Sequence, residues 1–202
     1  ADPIIVHPDV RRMLMTQRAL TEGCRMLALW TAQALDVSER HADAAARKQA
    51  DDFVALMTPV VKAFLTDSGL ETANIGVQVL GGHGFIRANG QEQYVRDVRI
   101  TPIYEGTNGV QAMDLAGRKL AMNGGRAVQA FGKLVMEEIA AGKQNEATAD
   151  FAARLEKAAG ELQASAMWFM ANGMKDPNNV GAGAVPFMHL VGVVAVGLMW
   201  LR

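Results

Sequence analysis

Apolar residues recur at helical rather than alternating spacing along this chain, and that periodicity constrains the fold more than any other property of the sequence. Val10, Met13, Leu14, Leu20, Leu27 and Trp30 follow the helical period from about Pro8 to Leu35. Pro8 suits a first helical turn, where its missing N–H is not needed. Alternating runs of β-branched residues are scarce, so the pattern predicts an all-α architecture. A second helix is expected from about Ser38 to Met57. Thr58-Pro59 then offers an N-cap hydroxyl and a residue already at helical φ, predicting a new helix or a kink that runs to Asp67. Ser68 and Glu71 have the spacing of a capping box, so the helix is expected to restart at Gly69 and to end near Leu80, where Gly81-Gly82 tolerates a left-handed cap. A short helix is expected over 91–99, then an extended stretch ending in Tyr104-Glu105-Gly106, then a helix over 108–122 with Thr107 as N-cap. Asn123-Gly124-Gly125 closes it. Further helices are expected over 126–141 and 147–171, followed by a loop over 172–185 and a terminal apolar segment, Leu190 to Leu201.

With 202 residues, of which 50% are hydrophobic, the chain is long enough to bury a sizeable core as one large domain or two small ones. Its 20 Lys and Arg against 21 Asp and Glu supply no overall positive field, so nucleic acid is not an expected partner. Cys24 is the only cysteine, which rules out an intrachain disulfide and points to a reducing, cytoplasmic setting. His7, His41, His83 and His189 show no paired ligand spacing, and no metal site is expected. Leu190 to Leu201 is short for a membrane span and reads as a buried helix. Residues 1–12 hold Pro3 and Pro8 and no apolar signal stretch, and they read as the start of a cut chain.

Tyr104-Glu105-Gly106-Thr107 places one carboxylate at a glycine turn just before a helix. Taken with Gln78-Val79-Leu80-Gly81-Gly82-His83-Gly84-Phe85 and Arg96-Asp97-Val98-Arg99-Ile100, it resembles the C-terminal helical domain of the flavin-dependent acyl-CoA dehydrogenases. The resemblance is strongest over residues 75–120 and extends more loosely upstream to about Ile5. From Gly125 onward the chain resembles the helical extension of longer members, including those acting on 3-methylthiopropionyl-CoA. The resemblance implies two units, a C-terminal helical domain over 1–124, partial at its N-terminus, and a truncated extension over 125–202. It also implies FAD as cofactor, an acyl-CoA thioester as substrate and an electron-transferring flavoprotein as electron acceptor. A homo-oligomer, dimer or tetramer, sharing the FAD site across subunits is implied with them. The family's N-terminal helices and β-rich middle domain are not expected in a strand-poor chain of this length, so the isolated chain is expected to be inactive.

Residue by residue, the resemblance makes Glu105 the base that takes the α proton, the β hydrogen leaving as hydride to the flavin and a trans-2-enoyl-CoA forming. Such a reaction needs a base on carbon and donors on the thioester oxygen, and the Glu105 backbone N–H beside Gly106 is placed to serve as one donor. Gly106 permits close approach of the substrate, and Tyr104 is expected to wall its thioester end. Gln78, Val79, Leu80, Gly81 and Gly82 match the segment that contacts the FAD of a neighbouring subunit. Thr107, Asn108 and Gly109 match a second flavin contact, where a helix start suits phosphate or ribityl oxygens. Arg96, Asp97 and Arg99 are expected to form an ion-pair and packing element behind the base. Where many relatives carry a CoA-facing arginine this chain has Gly117, followed by Arg118, so that contact is not carried over. Locally, Glu105 also reads as a carboxylate favoured at a helix start, the glycine run as a helix cap, and Tyr104 as a buried aromatic. A non-catalytic flavoprotein relative and a helical oligomerisation module stand as the alternative functions.

Overall fold

The longest apolar-periodic stretches become two helices joined by a tight turn, α1 (Pro8–Arg40) and α2 (Ala44–Leu80), in a computed structural model that describes residues 2–173 and 175–202. Gln17 bonds to Thr72 and Trp30 packs on Phe53, so residue numbers rise on one helix as they fall on the other and the pair is antiparallel. Asp43 starts α2 by accepting the Ala45 N–H at 2.9 Å. The short α3 (Gly82–Phe85) and α4 (Gln91–Arg99) fold back on the far end of α2. The remaining helices are α5 (Asn108–Asp114), α6 (Arg126–Gly142), α7 (Ala149–Asn172) and α8 (Pro177–Leu201). No strand occurs among the described residues.

Helix α2 runs unbroken through Thr58-Pro59, where a new helix or a kink was expected, and through Ser68-Gly69, where a restart was expected. Thr58 donates its hydroxyl to Val54 O (2.7 Å), a bond within a continuing helix rather than an N-cap. Pro59 sits fully buried inside the same helix. Ser68 is buried in mid-helix against Cys24 and forms no capping box with Glu71, and burial pushes the Cys24 thiol up. Buried Leu56, Met57, Val60, Ala63 and Phe64 pack the α2 face that spans these positions, and this packing overrides the local stop signals.

The second difference lies at the C-terminal end. The stretch expected as a loop over 172–185, of which Met174 lies outside the described residues, is helical from Pro177. Asp176 accepts the Asn178 N–H at 2.9 Å and Pro177 occupies the first turn. Within that stretch Gly181 faces open space, whereas Gly183 is a contact point, as is Gly197 further along the helix. A Cβ on Gly183 would lie 2.8 Å from the Phe169 ring, and one on Gly197 would lie 2.8 Å from Leu155. The terminal apolar segment is therefore part of a 25-residue helix rather than a 12-residue one. By length and composition both α8 and α2 could cross a bilayer, yet 56% of the most apolar stretch of α8 is buried in the bundle. Its partners are α1, α2, α5, α6 and α7, as expected of a buried helix.

One polar clasp ties α6 to α2. Asp52, only 5% exposed, accepts hydrogen bonds from Arg126 Nε, from Arg126 Nη2 at 2.8 Å and from Asn123 Nδ2 at 3.2 Å. Asn123 adopts a left-handed φ of +53° in the turn before α6. The Arg126 guanidinium holds the Asp52 carboxyl below its ordinary value, against the opposing effect of burial. A depressed pKa in the folded state contributes stability above the unfolded value, ~4, and that contribution is lost as pH falls through the folded value. Asp52→Asn should therefore lower the melting temperature by a few degrees at pH 7 and flatten its fall below about pH 5, read from thermal melts across pH. Flattening will be partial, because Asp114, bonded to Arg118, is depressed as well.

Candidate active site

Between α4 and α5 the chain coils instead of running extended as expected. Ile103 N–H and Tyr104 N–H both return to Ile100 O, at 2.9 and 3.2 Å, and Asn108 N–H closes the loop on Pro102 O at 3.0 Å. Glu105 and Gly106 follow one another in the left-handed region, with φ of +54° and +80°. For glutamate that conformation costs about 1–2 kcal/mol, and such cost persists where surroundings enforce it. Here Gln111 Nε2 donates to Glu105 O at 3.1 Å, and a Cβ on Gly106 would lie 2.9 Å from that same nitrogen. Any side chain at 106 would be strained by that φ and would push Gln111 aside. Neither the Glu105 carboxylate nor its N–H forms a hydrogen bond among the described residues, and the side chain is exposed. Tyr104 is 49% exposed, not buried.

Thr107 caps α5 as the sequence predicts, its hydroxyl accepting the Val110 N–H at 3.4 Å. Asn108 is buried, and its side chain is held by α2 rather than turned outward. Gly109 is exposed, and an added Cβ there would meet only Thr107 Oγ1, at 4.0 Å. Helix α5 then widens into a π turn at Leu115–Lys119, in place of the regular helix expected to 122. Within it Gly117 and Arg118 face solvent, and Arg118 Nε donates to Asp114 Oδ1 at 2.5 Å.

Gln78 to Gly82 lies elsewhere. Asn108 docks on α2 at Ala63 to Asp67, and Gln78 begins eleven residues further along, roughly 16 Å by the helical rise. Thus one chain does not bring its two expected flavin-contact segments together. Gln78, Leu80, Gly81 and Gly82 are exposed, and Val79 is half-buried. Gly84 is buried, and a Cβ there would strike Val77 O at 2.5 Å, so α3 can fold back tightly on α2 only with glycine. The expected ion pairs of Arg96, Asp97 and Arg99 do not form among the described residues. Asp97 accepts from Gln93 Nε2 at 2.6 Å, and both arginines are exposed. Phe85, Tyr94, Ile100 and Ile103 leave a broad apolar surface at this end of the bundle. A cavity of about 760 Å³ between α1, α2 and α6 is lined by Trp30, Phe53, Phe131 and Arg126, among others, and by none of the expected site residues.

The family model described as acyl-CoA dehydrogenase, C-terminal domain, matches residues 1–120, and that described as acetyl-CoA dehydrogenase C-terminal like matches residues 129–202. The chain belongs to the acyl-CoA dehydrogenase family. It is 44% identical to 3-methylmercaptopropionyl-CoA dehydrogenase of Ruegeria pomeroyi over 98% of its own length and 34% of that relative. It is 35% identical to a broad-specificity linear acyl-CoA dehydrogenase of Mycobacterium tuberculosis over 96% of its length and 33% of that relative. The crystal structure of Caenorhabditis elegans ACDH-11 in complex with C11-CoA superposes with a TM-score of 0.74 at 20% identity, covering 96% of this chain and 32% of that one, and so shares the fold. The chain thus spans about a third of the length of the relatives it matches.

Acyl-CoA dehydrogenases depend on FAD, and the exposed glycines fit such a group. A Cβ on Gly81 or Gly82 would meet no atom within 4 Å, and Gly82 has no left-handed φ to demand glycine. Nothing among the described residues accounts for the absence of a side chain at 82, whereas close approach of a dinucleotide would.

Proposed function

We propose that this chain is the base-bearing part of an FAD-dependent acyl-CoA dehydrogenase that converts an acyl-CoA to a trans-2-enoyl-CoA. One observation carries the reading. An exposed glutamate whose carboxylate makes no hydrogen bond among the described residues is held in a left-handed turn with its N–H also free of partners there. Glu105 takes the α proton, and its backbone N–H, with Gly106 leaving room, donates to the thioester oxygen where charge develops. Tyr104 walls the thioester end. FAD, when bound, would supply the hydride acceptor for the β hydrogen. Thr107, Asn108 and Gly109 hold the flavin of one subunit, while Gln78, Val79, Leu80, Gly81 and Gly82 hold that of a neighbour. The distance between the two segments along α2, together with the apolar surface beside them, supports a homo-oligomer sharing each flavin site. An electron-transferring flavoprotein is the proposed electron acceptor and the cytoplasm the proposed location. Short linear and methylthio-substituted acyl-CoAs are the first substrates to test, given the activities named for the relatives.

The test is anaerobic bleaching of flavin absorbance in the full-length protein by a panel of acyl-CoA thioesters. If wild-type flavin stays oxidised with all of them, a non-catalytic flavoprotein reading replaces this one. The isolated 202-residue chain is expected to hold no stoichiometric FAD and to show no dehydrogenase activity. Absorbance of the purified chain at flavin wavelengths checks this, and one flavin per chain would sink the proposed division of the cofactor site.

A further inference from the structure

Three helices meet at a half-buried polar cluster directly behind the base-bearing turn, in which only Asn108 is buried. Asn108, three residues after Glu105, donates from Nδ2 to Ala63 O at 3.1 Å and to Asp67 Oδ1 at 2.7 Å, with Thr66 Oγ1 2.9 Å away. Its Oδ1 accepts from Lys62 Nζ at 2.7 Å. The other Asp67 oxygen, Oδ2, lies 2.9 Å from Nε2 of His189 on α8, whose ring meets the Phe64 ring edge-on with centroids 5.7 Å apart. The Asn108 N–H meanwhile closes the loop on Pro102 O, so the residue that anchors α5 to α2 also fixes one end of the turn holding Glu105.

A chain of direct bonds therefore runs from the C-terminal extension through Asp67 and Asn108 to the Glu105 turn. An apolar contact would hold α8 on α2 equally well, as Phe64 and Gly192 do one turn away. What the polar chain adds is direction. Asn108 must present Nδ2 to Asp67 and Oδ1 to Lys62, which fixes its rotamer and hence where α5 begins. The geometry points to His189 as a positioning residue for Glu105, and to orientation of the base as a task of the extension. This rests on the reading of Glu105 as the base. Without His189, Asp67 Oδ2 loses its partner, the carboxylate is free to turn from Asn108, and the left-handed turn loses one of the constraints that enforce it.

The experiment uses the full-length protein with His189→Phe, which keeps a ring against Phe64 but removes the donor, and His189→Gln, which keeps a donor. Leu155→Ala, which alters the α7–α8 contact at Gly197, eight residues along α8 from His189, controls for lost stability. For His189→Phe, the rate of flavin reduction at saturating acyl-CoA should fall about 10- to 100-fold, the range that a small misplacement of a reacting group produces, while acyl-CoA affinity changes by less than about threefold. His189→Gln should recover most of the rate. Amide hydrogen exchange over residues 105–110 should quicken in His189→Phe and not in Leu155→Ala. Unchanged exchange in His189→Phe, or rate losses that follow melting temperature alike in His189→Phe and Leu155→Ala, would overturn the inference. Glu105→Gln separates the two readings. If it reduces flavin at the wild-type rate the base assignment fails, while exchange still decides whether His189 orders the turn.

Discussion

Glu105→Gln in the full-length protein should leave the flavin oxidised for minutes after an acyl-CoA that bleaches the wild type within seconds. Removing a positioned base costs roughly 10²- to 10⁴-fold in rate, or about 3–5 kcal/mol of transition-state stabilisation. Glutamine keeps the size of the side chain and leaves the backbone N–H in place, so acyl-CoA affinity should stay within about threefold of wild type and the loss should fall on the chemical step. The turn itself limits alternative explanations. Glu105 O is held by Gln111 and the loop is closed by Asn108, so an uncharged side chain at 105 disturbs neither bond. Retained bleaching would place the base on another residue. Gly106→Ala is the harsher neighbour, combining a left-handed φ with a Cβ 2.9 Å from Gln111, and it should weaken substrate affinity as well as rate.

The all-α class was legible because helical periodicity survives in every segment that packs, and the position of Glu105 was legible because glycine and threonine mark the turn around it. Its left-handed φ was not. No local rule places a glutamate there, and the cause is a bond from Gln111, six residues on. The misread breaks share a physical origin. Thr58-Pro59, Ser68 and the glycines of 181–183 are all stop signals for an isolated helix, and each lies in a helix whose neighbours overrule it. Asn108 shows the converse limit. Its match to a flavin-contact segment says nothing of its side chain, which is spent on Ala63, Asp67 and Lys62. Partners so far apart in sequence leave no local pattern, and His189 in particular reads as a lone histidine on an apolar helix.

Gly192→Val should lower the melting temperature by about 10 °C. A Cβ at 192 would sit 2.3 Å from two carbons of the Phe64 ring and 2.9 Å from Phe64 Cβ, so turning the ring does not make room and α8 must move off α2. Two effects compete in Gly192→Ala. Helix propensity favours alanine by about 1 kcal/mol, while overpacking a tight contact costs about 1–3 kcal/mol, for a small net loss. Valine adds two methyl groups and a β-branch in the same space, and overpacking then dominates at about 3 kcal/mol or more. Gly197→Val is the comparison. Its nearest neighbour is the flexible end of Leu155, at 2.8 Å, which can swing aside, and its loss should be less than half as large. Thermal melts followed by helical ellipticity check both, and equal losses at 192 and 197 would contradict the argument from Phe64. Because Phe64 also meets the His189 ring, displacing it should slow flavin reduction too.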